Sequence, residues 1–231
     1  MVDGAQGYKS TNPPQTILES ANANTAAYTR SAKKSPAIAL MDVVLASHRN
    51  YERAVAPHIR RLRENHPDLT IKELEKLLKT KYTTAEKLKD MWGHNDEKKY
   101  NILTALVNEI RAMDKASVTI QSDFNVMKTW ANSVNVYNWK KNCISQIPGI
   151  GLATFQHLRM NFGVNTVKPD QRVKEVLKKE FADFNLSTTS RNTILAVEEI
   201  AEITKYSVLQ IDQIFVRYGS GYYQKSAKKS A

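Results

Sequence analysis

Cysteine is almost absent from this chain of 231 residues, which contains only Cys143. A single thiol cannot form an internal disulfide, and a cysteine-ligated zinc or iron–sulfur site needs several thiolates. The five histidines are scattered and follow no metal-ligand spacing. We therefore expect neither a bound metal nor a cofactor.

Long apolar runs are also missing. No stretch approaches the roughly 18 to 20 residues of a membrane helix, and residues 1–35 lack the apolar segment of a secretory signal. Hydrophobic residues still make up 42% of the chain, which is typical of a globular protein. We expect a protein of the cytoplasm that is neither secreted nor associated with a membrane.

Turn-forming residues are scarce through the middle of the chain. From Ala37 to Ile147 there is one glycine, Gly93, and only two prolines, Pro57 and Pro67, whereas strand-rich folds need more. Helix-start pairs with capping-box spacing recur, namely Thr70 with Glu73, Thr83 with Glu86, and Ser207 with Gln210. The sequence predicts an all-α fold of about ten helices.

The ends of the chain differ from its middle. Residues 1–35 are rich in Ser, Thr, Asn, Ala and Lys without helical periodicity and are predicted to be a flexible tail. Residues 36–223 form the predicted helical domain. Residues 224–231 form a short basic tail rich in Lys, Ser and Ala.

Positive charge is in excess, with a formal net charge of +11. Between Lys140 and Lys179 there are eight Lys or Arg residues and only two acids, Asp170 and Glu175. Such a surplus suits a polyanionic partner, because neutralising phosphates releases counterions. A solvated basic face is the alternative interpretation.

A glycine-containing turn between two predicted helices is the most informative segment, at residues 144–162. Ile147-Pro148-Gly149-Ile150-Gly151 is followed by a helical stretch that ends near Gly163. The glycines permit a sharp turn and close approach of the backbone to a partner. The second helix would then point free N–H groups and its dipole at a phosphate. An ordinary helix–helix turn is the alternative.

A second candidate site is Asp170, in Lys168-Pro169-Asp170-Gln171. A helix should begin here, because proline disfavours helical geometry in the residue before it. Asp is also a preferred N-cap, so a purely structural role is the competing interpretation.

These two motifs together resemble the helix-hairpin-helix superfamily of DNA base-excision glycosylases, which includes endonuclease III, the adenine glycosylases and the alkyladenine glycosylases. The family hairpin reads Leu-Pro-Gly-Val-Gly, and a catalytic Asp follows it at the spacing of Asp170. The apolar stretch from Ala39 to Ser47 is similar to the family's early helix. The resemblance covers about residues 37–180.

The resemblance implies a two-lobed helical fold with a cleft between the lobes, and a monomer that binds double-stranded DNA and is located with the DNA, in the nucleoid or nucleus. It implies that Asp170 is catalytic. Trp92 and His94 are candidates for lining a base pocket, because Trp can stack on a base, and a core position is the alternative interpretation of Trp92. The resemblance also implies a set of DNA contacts: Gly149, Ile150, Gly151, Ala153, Lys168, Arg172, His48, Arg49 and Asn50. For His48, Arg49 and Asn50, a polar helix end is the alternative interpretation.

Three departures from the family pattern limit the expected chemistry. Ala153 stands where bifunctional members carry a catalytic lysine, the cysteines of the iron–sulfur members are missing, and His48 replaces an intercalating Gln. We therefore expect a monofunctional glycosylase without lyase activity. A non-catalytic DNA-binding relative is the main alternative, and a helical interaction protein with an incidental glycine turn is a third.

Overall fold

The computed structural model describes residues 17–116 and 122–220, and these contain helices and no strand. The predicted all-α class is therefore confirmed. The α-helices are α1 Ile17–Lys34, α2 Pro36–Ala46, α3 Tyr51–Ala54, α4 Ala56–Asn65, α5 Ile71–Thr80, α6 Ala85–Trp92, α7 Glu97–Lys115, α8 Asp123–Ser133, α9 Leu152–Asn161, α10 Gln171–Glu180, α11 Ser190–Thr204 and α12 Val208–Gly219. Three short 3-10 helices span Val136–Lys141, Cys143–Gln146 and Ala182–Phe184.

The chain divides into two compact units. We call Thr29–Val164 the hairpin unit, because it contains the glycine turn. We call Met1–Tyr28 together with Asn165–Ala231 the Asp170 unit.

Helix α1 corrects the predicted N-terminal tail. Residues 17–34 are helical, whereas residues 1–16 and the predicted tail at 224–231 lie outside the described residues. Ala21, Asn24 and Ala27 recur at three-residue spacing and are buried. The buried face consists of small side chains, so the usual periodicity of large apolar residues was missing from the sequence.

The core of the hairpin unit is built around α2. Every residue from Pro36 to Ala46 is buried, and the helix packs against α4, α5, α7 and α9. A helix that is apolar on all sides is stable only when neighbours cover all of its faces. Apolar residues at three- and four-residue spacing along α7 are also buried, namely Ile102, Leu103, Leu106, Val107 and Ile110.

Capping places most helix starts where the sequence predicts them. Thr70 with Glu73 and Ser207 with Gln210 both form reciprocal capping boxes. The prediction for Thr83 and Glu86 was wrong by one residue, because Thr84 caps α6 by accepting from the Lys87 N–H.

The Asp170 unit packs α10, α11 and α12 against one another. Its core includes Val173 and Leu177 of α10, Val197 of α11, and Ile211 of α12. Among the helices of the described residues, none is long and apolar enough to cross a membrane.

Candidate functional site

The glycine turn of the hairpin unit has a defined geometry. The Ile150 N–H donates to the Ile147 carbonyl at 3.0 Å, and Gly149 has φ +97°. Proline second and a left-handed glycine third are the requirements of a type II turn. A Cβ on Gly149 would lie 2.6 Å from Cδ1 of Ile102. The turn therefore requires glycine at position 149 for both its backbone and its packing.

The helix before this turn is shorter than expected. It is the four-residue 3-10 helix Cys143–Gln146, followed by the turn and then by α9. The end of α9 agrees with prediction, because Gly163 has φ +92° and its N–H donates to the Met160 carbonyl. A left-handed glycine of this kind commonly ends a helix.

Gly151 immediately precedes α9 and is exposed. As the N-cap it offers no side chain to the first N–H groups of the helix, and the helical bonding begins with the Phe155 N–H donating to the Gly151 carbonyl at 2.9 Å. The N–H groups of residues 152–154 come before this first bond, so they have no acceptor within the helix itself. A Cβ on Gly151 would meet no atom of the described residues within 4 Å, so the packing of this part of the chain does not require glycine here.

Ile150 does not have the free donor expected of it. Its side chain is buried in the core of the hairpin unit, and its N–H is used within the turn. The predicted direct DNA contact of Ile150 is therefore corrected to a packing role. Ala153 lies half-buried in the first turn of α9.

Basic residues lie close to this turn. Cε of Lys98 is 3.7 Å from the position that a Gly149 Cβ would take, and Lys98 is exposed at the start of α7. Lys140 and Lys141 are exposed at the end of the 3-10 helix Val136–Lys141. The Gln146 side-chain amide, just before the turn, donates to the Lys140 carbonyl. Arg159, in contrast, is buried and donates to the Ala131 and Val134 carbonyls.

The segment His48–Asn50 joins α2 to α3. His48 is exposed and has φ +56°, which is unusual for a residue with a Cβ. Arg49 forms an ion pair with Asp96 at 2.7 Å, and the Asn50 side chain caps α3 by accepting from the Arg53 N–H. Of the three predicted DNA contacts, His48 and Asn50 are exposed and Arg49 is half-buried. Arg49 and Asn50 have partners within the unit.

Lys99 is a buried cation beside this segment that the sequence did not indicate. Its ammonium donates to the Val44 carbonyl at 2.7 Å and to the Ser47 carbonyl at 2.8 Å, so it satisfies acceptors at the end of α2. Burial, and next the positive charge of Arg49, lower the pKa of Lys99 to about 8.

Trp92 is a core residue, which agrees with the alternative interpretation and corrects the base-pocket prediction. Its ring is completely buried, and its indole N–H donates to the His94 carbonyl at 2.6 Å. The His94 ring is held in turn, because Nε2 donates to the Ala54 carbonyl at 2.9 Å and the ring lies against His58. Burial, and next the charge of Arg49, lower the pKa of His94.

Asp170 is the N-cap of α10, as the structural interpretation predicted. One oxygen, Oδ1, accepts from the Arg172 N–H at 3.0 Å and from the Val173 N–H at 3.2 Å. The other oxygen, Oδ2, lies 3.5 Å from the Lys168 ammonium. The side chain is 26% exposed. The carboxylate is thus oriented through one oxygen, and its second oxygen lies beside the partly exposed ammonium of Lys168.

Asp212 lies beside this carboxylate and was not predicted as a site residue. Its Oδ1 accepts from the Lys168 N–H at 2.9 Å, and its Oδ2 accepts from the Gln213 side chain at 2.8 Å. It is 1% exposed. Burial, followed by the negative charge of Asp170, raises the pKa of Asp212 to about 7. In the sequence, Asp212 looks like an ordinary polar residue of a helix. Only its place in the fold, beside Asp170, identifies it as part of the candidate site.

The predicted site residues therefore fall into two groups. The hairpin unit contains the turn, Ala153, His48–Asn50, Trp92 and His94, and the Asp170 unit contains Asp170 with Lys168 and Arg172. Arg172 is exposed and pairs with Glu175 at 3.1 Å. Within residues 17–116 and 122–220, no three His, Cys, Asp or Glu side chains are grouped as metal ligands would be.

Comparison with models of known families, with curated proteins and with solved structures finds no match to this chain.

Proposed function

We propose that the protein is a monofunctional DNA glycosylase of the two-lobed helix-hairpin-helix kind, which hydrolyses the N-glycosidic bond of a damaged or mismatched base. The observation that carries the proposal is the state of Asp170. Its Oδ1 is fixed by two backbone amides, and its side chain remains 26% exposed. A carboxylate that is both oriented and accessible suits a reaction in which positive charge develops.

The chemistry requires the target nucleotide to be turned out of the duplex. As the glycosidic bond breaks, positive charge grows on the sugar, and a nearby carboxylate stabilises that charge or activates water. Asp170 would supply this carboxylate. Ala153 has no amine and cannot form a Schiff base, so the product would be an abasic site on an intact strand.

Binding to the duplex would use the hairpin unit. The start of α9 lacks a side-chain cap, and backbone N–H groups at such a start bind phosphate well. Lys98 is exposed next to the turn, and Lys140 and Lys141 are exposed on the segment that precedes it. Contacts of this type position a protein on DNA and carry no sequence information.

The test is a screen of the purified protein against duplexes that carry uracil, alkylated, oxidised or mismatched bases. We expect base release without strand cleavage and no adduct trapped by borohydride. Asp170→Asn should abolish most release and preserve DNA binding, because Asn is itself a good N-cap. Thr189→Ala is the matched control, since Thr189 caps α11 in the same unit by accepting from the Asn192 N–H. Loss of this cap should leave release unchanged.

A non-catalytic DNA-binding protein is the second candidate, and one observation favours it. The two amides that Asp170 accepts from are those of an ordinary N-cap, so capping alone accounts for an aspartate at this position. Salt-sensitive binding to duplexes with no base release from any of them would support this candidate. A borohydride-trapped adduct would instead show that a lysine, with Lys168 nearest to Asp170, acts as a nucleophile.

A further inference from the structure

The segment that leads into α10 is attached to α12 at two points. The Asn165 side-chain oxygen accepts from the Leu209 N–H at 3.0 Å, and the Asp212 carboxylate accepts from the Lys168 N–H at 2.9 Å. Leu209 and Asp212 are three residues apart, so they lie on neighbouring positions of one helix face. Thr166 and Val167, between the two attachments, are buried.

A tight turn transmits the second attachment to Asp170. The Asp170 N–H donates to the Lys168 carbonyl at 2.7 Å, which closes a three-residue turn with Pro169 at its centre. Proline fixes its own φ near the value that this turn needs. The position of the Lys168 amide therefore determines where the backbone of Asp170 lies, and the capping bonds then orient its carboxylate.

Asp212 itself lies in a costly environment. It is 1% exposed, and its second oxygen is engaged by Gln213, whose amide also lies 3.4 Å from the Tyr28 hydroxyl. Burying a carboxyl group disfavours folding, and an apolar residue of similar size often avoids that cost. What Asp212 provides in return is an acceptor for the Lys168 amide.

We propose that Asp212 is a positioning residue for Asp170, acting through its hydrogen bond to the Lys168 amide. This inference rests on the proposed function. A backbone N–H can donate to a neutral carbonyl oxygen and also to a carboxylate oxygen. The contact therefore needs an acceptor oxygen at position 212 and does not require a negative charge there. The rise of the Asp212 pKa to about 7 is consistent with a group that does its work whether or not it is ionised.

The experiment compares Asp212→Asn, which keeps an acceptor oxygen, with Asp212→Leu, which removes it. Single-turnover base release is measured with protein in excess, alongside the Kd for the same duplex. We expect Asp212→Leu to slow release by about 10- to 100-fold, since displacement of a reacting group by about 1 Å has effects of that size. The Kd should be unchanged. Asp212→Asn should release the base at a rate within about threefold of that of the original protein. A threefold change is smaller than the effect expected from losing a hydrogen bond. Val197→Ala, in the core of α11, controls for general loss of stability in this unit.

Hydrogen exchange of the Arg172 and Val173 amides gives a readout that does not depend on activity. In Asp212→Leu these amides should lose protection while those of the middle of α12 keep it, and Asp212→Asn should retain it. If no duplex loses a base even with the original protein, the proposed function fails and exchange alone decides the positioning role. Unchanged exchange and unchanged release in Asp212→Leu would overturn the inference, as would an Asp212→Asn variant as impaired as Asp212→Leu.

Discussion

Alanine should have different effects at the two glycines of the turn. At Gly151 it should weaken DNA binding and leave stability unchanged, whereas at Gly149 it should lower stability, and this contrast tests the hairpin as a phosphate site. Gly151 has φ −89° and space for a Cβ. Alanine is a poorer N-cap than glycine, but it also restricts the unfolded chain, and each effect is worth about 0.5 to 1 kcal/mol with opposite sign. The free energy of unfolding of Gly151→Ala should therefore stay within about 0.5 kcal/mol of the original value, by the same two effects.

The same methyl group should interfere with a phosphate that approaches the start of α9. Loss of one charge-assisted hydrogen bond costs about 1.5 to 3 kcal/mol, which corresponds to at least about a tenfold increase in Kd. Fluorescence anisotropy on several unrelated duplexes would measure it. The increase should be similar for all of them, because phosphate contacts do not discriminate sequence.

Gly149→Ala should instead destabilise the fold. A left-handed conformation costs a residue with a Cβ about 1 to 2 kcal/mol, and the contact with Ile102 adds an overpacking cost of about 1 to 3 kcal/mol. Gly163→Ala is the control, since Gly163 has φ +92° and open space around it and should show the backbone cost alone. If Gly151→Ala binds every duplex as tightly as the original protein, the start of α9 does not contact phosphate.

Two further predictions concern buried charges. Since burial and Asp170 raise the pKa of Asp212 to about 7, the folded chain keeps a proton that the unfolded chain releases near pH 4, and the free energy of unfolding should decline as pH rises from about 4 to about 7. Lys168, Asp170 and Gln213 are the groups that face Asp212. Urea denaturation across that range should show a weaker dependence of the free energy of unfolding on pH for Asp212→Asn than for the original protein. The same dependence in both proteins would contradict the assignment. The adjacent lysines of α7 form a matched pair: Lys99→Met removes the donor to Val44 and Ser47 and should lower stability by about 1 to 3 kcal/mol. Lys98→Met should leave stability unchanged and reduce the salt dependence of DNA binding by about one phosphate contact. Equal effects of the two substitutions on stability would refute the assignment of a structural role to Lys99 and a surface role to Lys98.

The helical class and several boundaries could be predicted from the sequence because they depend on local chemistry. The capping boxes at Thr70 and Ser207, the left-handed Gly163 and the N-cap at Asp170 each follow from residues within one turn. Helix α1 could not be recognised in the same way, since its buried face is made of alanine and asparagine.

The candidate site was harder to predict, because its geometry depends on tertiary packing. The sequence identified Gly149, Gly151 and Asp170, but it could not distinguish a glycine fixed by Ile102 from one with open space around it. Nor could it show that Trp92 is buried and that the Ile150 N–H is already bonded. Asp212 was missed because its contact with Lys168 joins residues 44 positions apart.

The assembly of the Asp170 unit from both ends of the chain has a consequence for the order of folding during synthesis. The hairpin unit is continuous in sequence and can fold as soon as Val164 has left the ribosome. The Asn22 side chain accepts from Gln210, and the Tyr28 hydroxyl lies near Gln213, across separations of 188 and 185 residues. Contacts that span so much of a chain form slowly. Asn22 and Tyr28 therefore cannot make these contacts until residues 210 and 213 have been translated, and the surroundings of Asp170 are completed only after that point.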